Sequence, residues 1–395
     1  VGGFRAEFVS THAVILSGGG ANGAFEVGVM KALFNGRCPA TSGQPLDAHI
    51  FTGTSVGAFN ASVMASHPDK TSAESVGSLE DIWLDQVADG PGQGGNGVFR
   101  FRGGVSHFLD LGSLLRSPLA PVATLAQDGA YLTRDLFRRG VNLLESDGSL
   151  EHRALEFLNL SSFVSMDPLR ELIRRTVSLE GLQASEKHLA IVATNWVTGE
   201  ARVFRKDDMV DEIGYDAILA STAIPGFFPP VDIDTHEHVD GGLVMNTPLL
   251  PAIDAGADVV HMIYLDPDPA NIPLKRLDNT LDTLDRMMTI QFAKSVNADL
   301  EKAEQINLGL EALEDADRHS SDVHLAAFVQ TAHRMRQRLA KGDGYRKLTV
   351  HRYHPSEDLG GVLGLLKFHR GRVEDLIELG AACAEHHDCE ESGCF

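Results

Sequence analysis

The sequence predicts an α/β protein. Two observations carry that expectation. Short apolar runs of strand length alternate with longer segments of helical periodicity, and glycine-rich turns follow two of the apolar runs directly. A third observation concerns size. The chain has 395 residues, 43% hydrophobic and 23% charged, which is an ordinary globular composition and enough for one large α/β domain or two smaller ones.

The first apolar run, residues 12–17, reads as a buried strand. Gly18-Gly19-Gly20-Ala21-Asn22-Gly23 follows, and residues 24–34 read as a helix with Phe25, Val29, Ala32 and Leu33 at helical spacing. A glycine turn between strand and helix exposes successive N–H groups and favours an anion. Gly18, Gly20 and Gly23 also satisfy G-x-G-x-x-G. A dinucleotide site needs an acidic residue ending the second strand about 20 residues on. Asp47 precedes that strand instead, and no Gly-Lys-Ser/Thr completes a P-loop. The remaining reading is an oxyanion hole.

The second strand spans 49–52 and runs into Gly53-Thr54-Ser55-Val56-Gly57, which fits G-x-S-x-G, with a helix expected over 55–66. Strand, tight turn and helix are the setting of a nucleophile elbow, with Ser55 at the apex. A side chain at Gly53 or Gly57 would collide with the neighbouring strand or helix. Residues 72–86 read as helix and 88–104 as a mobile glycine-rich loop. Residues 105–160 are apolar but irregular and read either as a cap over the site or as packed core.

Asp167 and Pro168 are expected as N-cap and first residue of a helix with Leu169, Leu172, Ile173 and Val177 on one face. Strand 188–196 turns at Thr198-Gly199-Glu200 and pairs back through 201–205. A short helix over 215–223 is followed by the rigid apolar loop 224–230. Residues 231–239 read as one strand ending in Asp240-Gly241-Gly242. A helix begins after Asn246-Thr247-Pro248, residues 258–265 form a buried strand, and long amphipathic helices cover 281–313 and 323–339. Strand 347–353 and helix 372–385 complete the chain. The tail with Cys383, His386, His387, Asp388, Cys389 and Cys394 matches no common zinc spacing and reads as a frayed terminus.

The net charge of −21 argues against nucleic acid and against electrostatic adsorption to anionic lipid. No apolar run approaches the roughly 18 residues that span a bilayer. The chain begins at Val1 and shows no signal peptide. The expected places are the cytoplasm or the membrane periphery, with secretion left open because a leader can have been trimmed.

The order of the glycine turn, the elbow and Asp240-Gly241-Gly242, with Ala220-Ser221-Thr222-Ala223-Ile224-Pro225 and Phe228-Pro229-Pro230 upstream of Asp240, resembles the patatin-like phospholipase family. Asp167-Pro168-Leu169, the hairpin at Thr198-Gly199-Glu200 and Tyr353-His354-Pro355 also resemble it, and the likeness covers about residues 13–384. It implies a three-layer α/β/α fold with a mostly parallel central sheet, a cap-like insertion at 88–160, a helical insertion at 281–340 and extra C-terminal helices, all within a single catalytic domain over 1–395. It implies hydrolysis of lipid carboxylic esters through an acyl-enzyme. Ser55 would be nucleophile and Asp240 base, with Gly18, Gly19, Gly20 and Val56 N–H groups as oxyanion donors. Asn22, Gly23, Gly53, Gly57, Gly241 and Gly242 would support these motifs. No metal or cofactor is expected, the partner is a lipid or ester substrate, and transient lipid-interface contact would run through the cap. The family usually carries Arg or Lys where this chain has Asn22, which turns the expectation from charged phospholipids toward neutral esters or glycolipids. A Ser–Asp–His triad using His261, His351 or His354, and a non-catalytic lipid- or nucleotide-binding module, are the alternatives.

Overall fold

The first strand sets the architecture. In β1 (His12–Leu16), Ala13 and Ile15 enter one hydrophobic cluster, while Val14 and Leu16 enter another. Side chains alternate across a strand, so a strand apolar on both faces must lie in a sheet covered on both sides. The computed structural model describes residues 10–88, 96–101, 164–266, 280–319, 330, 347–360 and 364–395.

From β1 the chain passes through a 3₁₀ turn into α1 (Ala24–Phe34), then β2 (Ala48–Thr54), α2 (Val56–Ala65) and α3 (Ser72–Ile82). Thr71 and Glu74 close a reciprocal cap on α3, whose end widens into one π turn at Trp83–Val87. A small antiparallel pair, β3 (Arg100–Phe101) with β4 (Val164–Ser165), precedes α4 (Asp167–Thr176) and α5 (Leu179–Ala184). The next elements are β5 (His188–Asn195), β6 (Ala201–Arg205), α6 (Asp211–Ser221), β7 (Val231–Ile233), β8 (His236–Asp240), α7 (Leu249–Asp254) and β9 (Val259–Ile263). Helix α8 (Thr280–His319), β10 (Thr349–Tyr353) and α9 (Arg370–Glu385) follow.

The sheet order is β10-β9-β1-β2-β5-β8-β7, with β6 also on β5. The run from β10 to β5 is parallel, and β6, β7 and β8 are antiparallel to their partners. One face buries Phe25 and Met30 of α1, Val63 of α2, Leu172 of α4, Ile218 of α6 and Ile377 of α9. The other buries Leu249 and Ala252 of α7 with Val296 and Leu300 of α8. Helices on both faces of a largely parallel sheet make the three-layer arrangement expected from the sequence. No described helix is long and apolar enough to cross a membrane.

Four local expectations change. Asp167 is the first helical residue and Met166 the N-cap; the Asp167 N–H donates to Ser165 Oγ at 3.2 Å. An aspartate in the first turn still complements the helix dipole. Helix α6 begins at Asp211, a turn earlier than its apolar spacing suggests. The single strand expected over 231–239 is a hairpin, turned by Asp234 and Thr235 at φ 50° and 67°. Aspartate tolerates that left-handed conformation, so a turn without glycine went unread.

The carboxyl terminus does not fray. The Val350 N–H donates to the Phe395 carbonyl at 2.6 Å, and the Phe395 N–H returns a bond of 3.2 Å. The expected cap at 105–160 and most of the second helix at 323–339 lie outside the described residues.

Candidate active site

Ser55 stands between β2 and α2 at φ 55°, ψ −127°, a conformation that L-residues avoid. The elbow is held by backbone crowding. A Cβ on Gly53 would come within 2.2 Å of the Gly57 carbonyl oxygen, and one on Gly57 within 2.3 Å of the Leu16 carbonyl oxygen. The Ser55 N–H donates to Ser221 Oγ at 2.9 Å, and Ser221 Oγ donates to the Val192 carbonyl at 2.6 Å. The backbone of Ser55 is therefore tied through α6 to β5.

Sheet register brings Asp240 to the elbow. Strand β2 pairs with β5 up to Thr54 opposite Val192, where the chain turns away. Strand β8 pairs with β5 from the opposite direction and ends with Asp240 opposite Ala193, the next position along. Asp240 thus occupies the edge that β2 has just vacated. Ser55 Oγ donates to Asp240 Oδ2 at 2.6 Å, and the Gly242 N–H donates to Oδ1 at 2.8 Å. Thr194 Oγ1 holds the Asp240 carbonyl at 2.9 Å. Both residues are buried, at 5% and 4% exposure. Burial pushes the Asp240 carboxyl up to about 7, against the opposing pull of the Ser55 hydroxyl and the Gly242 N–H.

The glycine turn lies alongside. A Cβ on Gly18 would stand 2.9 Å from Ser55 Cβ. The Gly18 N–H, however, donates to Asn246, at 3.3 Å to its carbonyl and 3.1 Å to Oδ1. Gly18 therefore supports the turn, contrary to its expected place among the oxyanion donors. Gly19, Gly20 and Val56 are the remaining candidates. Asn246 Nδ2 reaches Asp266 Oδ2 at 3.3 Å, and burial with Asp358 nearby raises the Asp266 carboxyl to about 7.

Asn22 is buried at 4% exposure, and its Oδ1 accepts from Arg372 Nη2 at 2.8 Å. The same guanidinium bonds the Leu359 carbonyl. The cation missing at position 22 is thus present beside it, borrowed from α9. Beneath the turn, Asn60 Nδ2 donates to Glu26 Oε2 at 2.8 Å and to the Gly23 carbonyl at 3.2 Å, while Asn60 Oδ1 accepts from Trp83 Nε1 at 2.9 Å. Burial holds the Glu26 carboxyl well above its usual range.

Ser55 and Val56 open onto a cavity of about 510 Å³, its solvent-open mouth included. Phe59, Trp83, Val98, Leu172, Ile224, Phe228 and Phe368 are among its walls, and Ser55 and Thr222 are its hydroxyl-bearing lining residues. Among the described residues no histidine lines it. Among the described residues no histidine bonds Ser55 or Asp240: His261 Nδ1 faces Tyr353 Oη at 3.1 Å and His354 Nδ1 faces the Pro355 carbonyl at 3.1 Å. The geometry gives the triad alternative no support.

Ser221, Asn246, Asp266 and Arg372 were not assigned from the sequence. Ser221 lies in a run that the family resemblance already drew on, and Asn246 follows Asp240 closely. Asp266 and Arg372 carry no local signal.

Two solved structures are similar to the chain. VipD from Legionella pneumophila is 17% identical, with 95% of this chain and 67% of that chain covered and a TM-score of 0.34. The type III effector protein ExoU is 16% identical, with 83% and 64% covered and a TM-score of 0.22. The chain spans about two thirds of the length of each. A family model for patatin-like phospholipase matches residues 14–253. That span takes in the elbow, Asp240 and more than half of the sequence, and the chain belongs to the patatin-like phospholipase family.

Proposed function

We propose that the protein hydrolyses carboxylic ester bonds of lipids with Ser55 as nucleophile and Asp240 as its only side-chain base. Family membership supports lipid acyl hydrolysis in general. The observation that carries the finer reading is the 2.6 Å bond from Ser55 Oγ to Asp240 Oδ2 at the floor of an apolar cavity.

A serine hydroxyl needs a base within hydrogen-bond reach. Gly242 occupies Oδ1 and so directs Oδ2 at the hydroxyl. As Ser55 Oγ attacks the carbonyl carbon, its proton passes to Oδ2. The developing oxyanion is received by N–H groups of Gly19, Gly20 and Val56, the last at the positive end of α2. The carbon–oxygen bond to the alcohol breaks, and the leaving oxygen takes the proton from Asp240. Water then gives a proton to Asp240, attacks the acyl-serine and releases the fatty acid, and Ser55 recovers its proton. The apolar walls suit an acyl chain. Contact with a lipid surface belongs to the same proposal, as does a single catalytic unit with insertions at 88–160 and 281–340. With Arg372 bonded to Asn22, the residue type at position 22 does not by itself decide between a phospholipid and a neutral ester.

The test is fluorophosphonate labelling together with turnover of p-nitrophenyl esters, triglycerides and phospholipids. Ser55→Ala should abolish labelling and turnover, and Asp240→Asn should lower turnover by roughly 10²–10⁴. Full activity in Asp240→Asn would sink the dyad, and absence of labelling in the wild type would favour a binding module.

A further inference from the structure

The carboxyl end carries a set of side chains that ester hydrolysis does not use. His387, Cys389 and Cys394 follow α9, and His351 comes from the middle of β10, 36 positions before His387 in the sequence. Folding brings one ligand atom from each of the four within 4.8 Å of all the others.

The spacing fits one small ion. In a tetrahedral zinc site, with Zn–S near 2.3 Å and Zn–N near 2.0–2.1 Å, adjacent nitrogen and sulfur ligands stand about 3.5–3.6 Å apart. Here Cys389 Sγ lies 3.6 Å from His351 Nδ1 and 3.5 Å from His387 Nε2, and Cys394 Sγ lies 3.4 Å from His387 Nε2.

Neighbouring groups match what surrounds metal ligands. The other ring nitrogen of His387 faces Ser392 Oγ at 3.4 Å, and the Arg352 N–H donates to Cys394 Sγ at 3.4 Å. The His351 ring stacks on His261, with centroids 5.1 Å apart. His387 is buried against the Tyr353 ring at 4.6 Å. All four cysteines are free thiols.

We propose that His351 Nδ1, His387 Nε2, Cys389 Sγ and Cys394 Sγ bind a zinc ion that fastens the carboxyl-terminal segment to the sheet edge at β10. Both thiols release their protons to solvent on binding, and two thiolates with two neutral imidazoles balance the charge of the ion. Two sulfurs and two nitrogens in this arrangement select zinc over harder cations. Four protein ligands leave no open position, which makes the site structural. None of the four lines the cavity beside Ser55, so the proposal stands independently of the ester chemistry.

The test uses the full chain purified without a histidine tag. Elemental analysis should find about one zinc per chain, and cobalt(II) exchanged into the protein should show the visible bands of a tetrahedral thiolate site. Chelation should lower the melting temperature and zinc should restore it. Cys389→Ser combined with Cys394→Ser should cut zinc content by roughly tenfold or more and make the melt insensitive to chelator. If that variant fails to fold, the cobalt spectrum of the wild type still decides. Wild-type protein that takes up neither metal, or whose mass is short of two hydrogens because Cys389 and Cys394 have joined in a disulfide, overturns the proposal.

Discussion

The proposed role of Asp240 as base asks a buried residue to carry charge, and those demands oppose each other. Its carboxyl titrates near 7 in the folded protein because burial disfavours the anion. In the unfolded chain it would titrate near 3.9. The folded state therefore binds more protons between these values, and stability falls as pH rises through that window. The contribution is fully present below the unfolded value and lost above about 7, a loss on the order of 4 kcal/mol for one such group. Asp240→Asn removes this titration. It should melt at a higher temperature than the wild type at about pH 8, with the gain vanishing near pH 3. Equal melting curves at the higher pH would contradict a buried, charge-averse Asp240. Wild-type turnover should rise through about pH 7, since only the carboxylate can accept the Ser55 proton. Asn22 shows a neighbouring effect: its amide oxygen holds Arg372, so its role depends on a residue 350 positions away.

The elbow works because two elements approach more closely than side chains allow. Gly57 opens α2 against the Leu16 carbonyl of β1, with no room for a Cβ. Gly57→Ala should cost at least 1–3 kcal/mol as the helix is forced off the strand, and activity should fall with it. Gly77 in α3 is the matched control, since a Cβ there meets nothing within 4 Å. Gly77→Ala should stabilise by about 0.5–1 kcal/mol, as expected for an open helical glycine. Urea denaturation of the two variants compares them directly; equal effects would mean that the elbow is not a close-packed joint. Strand β8 matters in the same way. Its antiparallel run along β5 ends where β2 leaves the sheet, which sets the distance between Ser55 and Asp240.

The cavity belongs to the assembled chain. Its walls come from the glycine turn, α2, the π turn after α3, the stretch 96–101, α4, the loop after α6 and the stretch 364–368, and they run from Gly20 to Phe368, 348 positions apart. Phe99 packs between Phe228 and Phe368, at ring distances of 5.9 and 6.3 Å, and so joins three of them. Filling this space should change which esters fit. Val98→Trp should reduce turnover of long-chain esters relative to short-chain ones by roughly tenfold, measured as a ratio of kcat/KM values. An unchanged ratio would remove the cavity from acyl binding. The carboxyl terminus is likewise a product of assembly, because β10 pairs with Phe395 and supplies the fourth side chain of the zinc cluster.

Local chemistry was legible in the sequence by itself. Alternating apolar runs marked the strands, and α1 was read to its exact limits. The glycine turn, the G-x-S-x-G elbow and Asp240-Gly241-Gly242 stood out because close backbone approach restricts those positions to very few residue types. Contacts between distant segments left no such mark. The Ser55–Asp240 bond depends on register along β5, the loss of Gly18 as a donor on Asn246, and the cation beside Asn22 on α9. The His–Cys tail read as frayed because three of its ligands are local and the fourth lies in a strand far upstream. Spacing rules describe ligands that are close along the chain. Only the folded sheet could bring His351 to the other three.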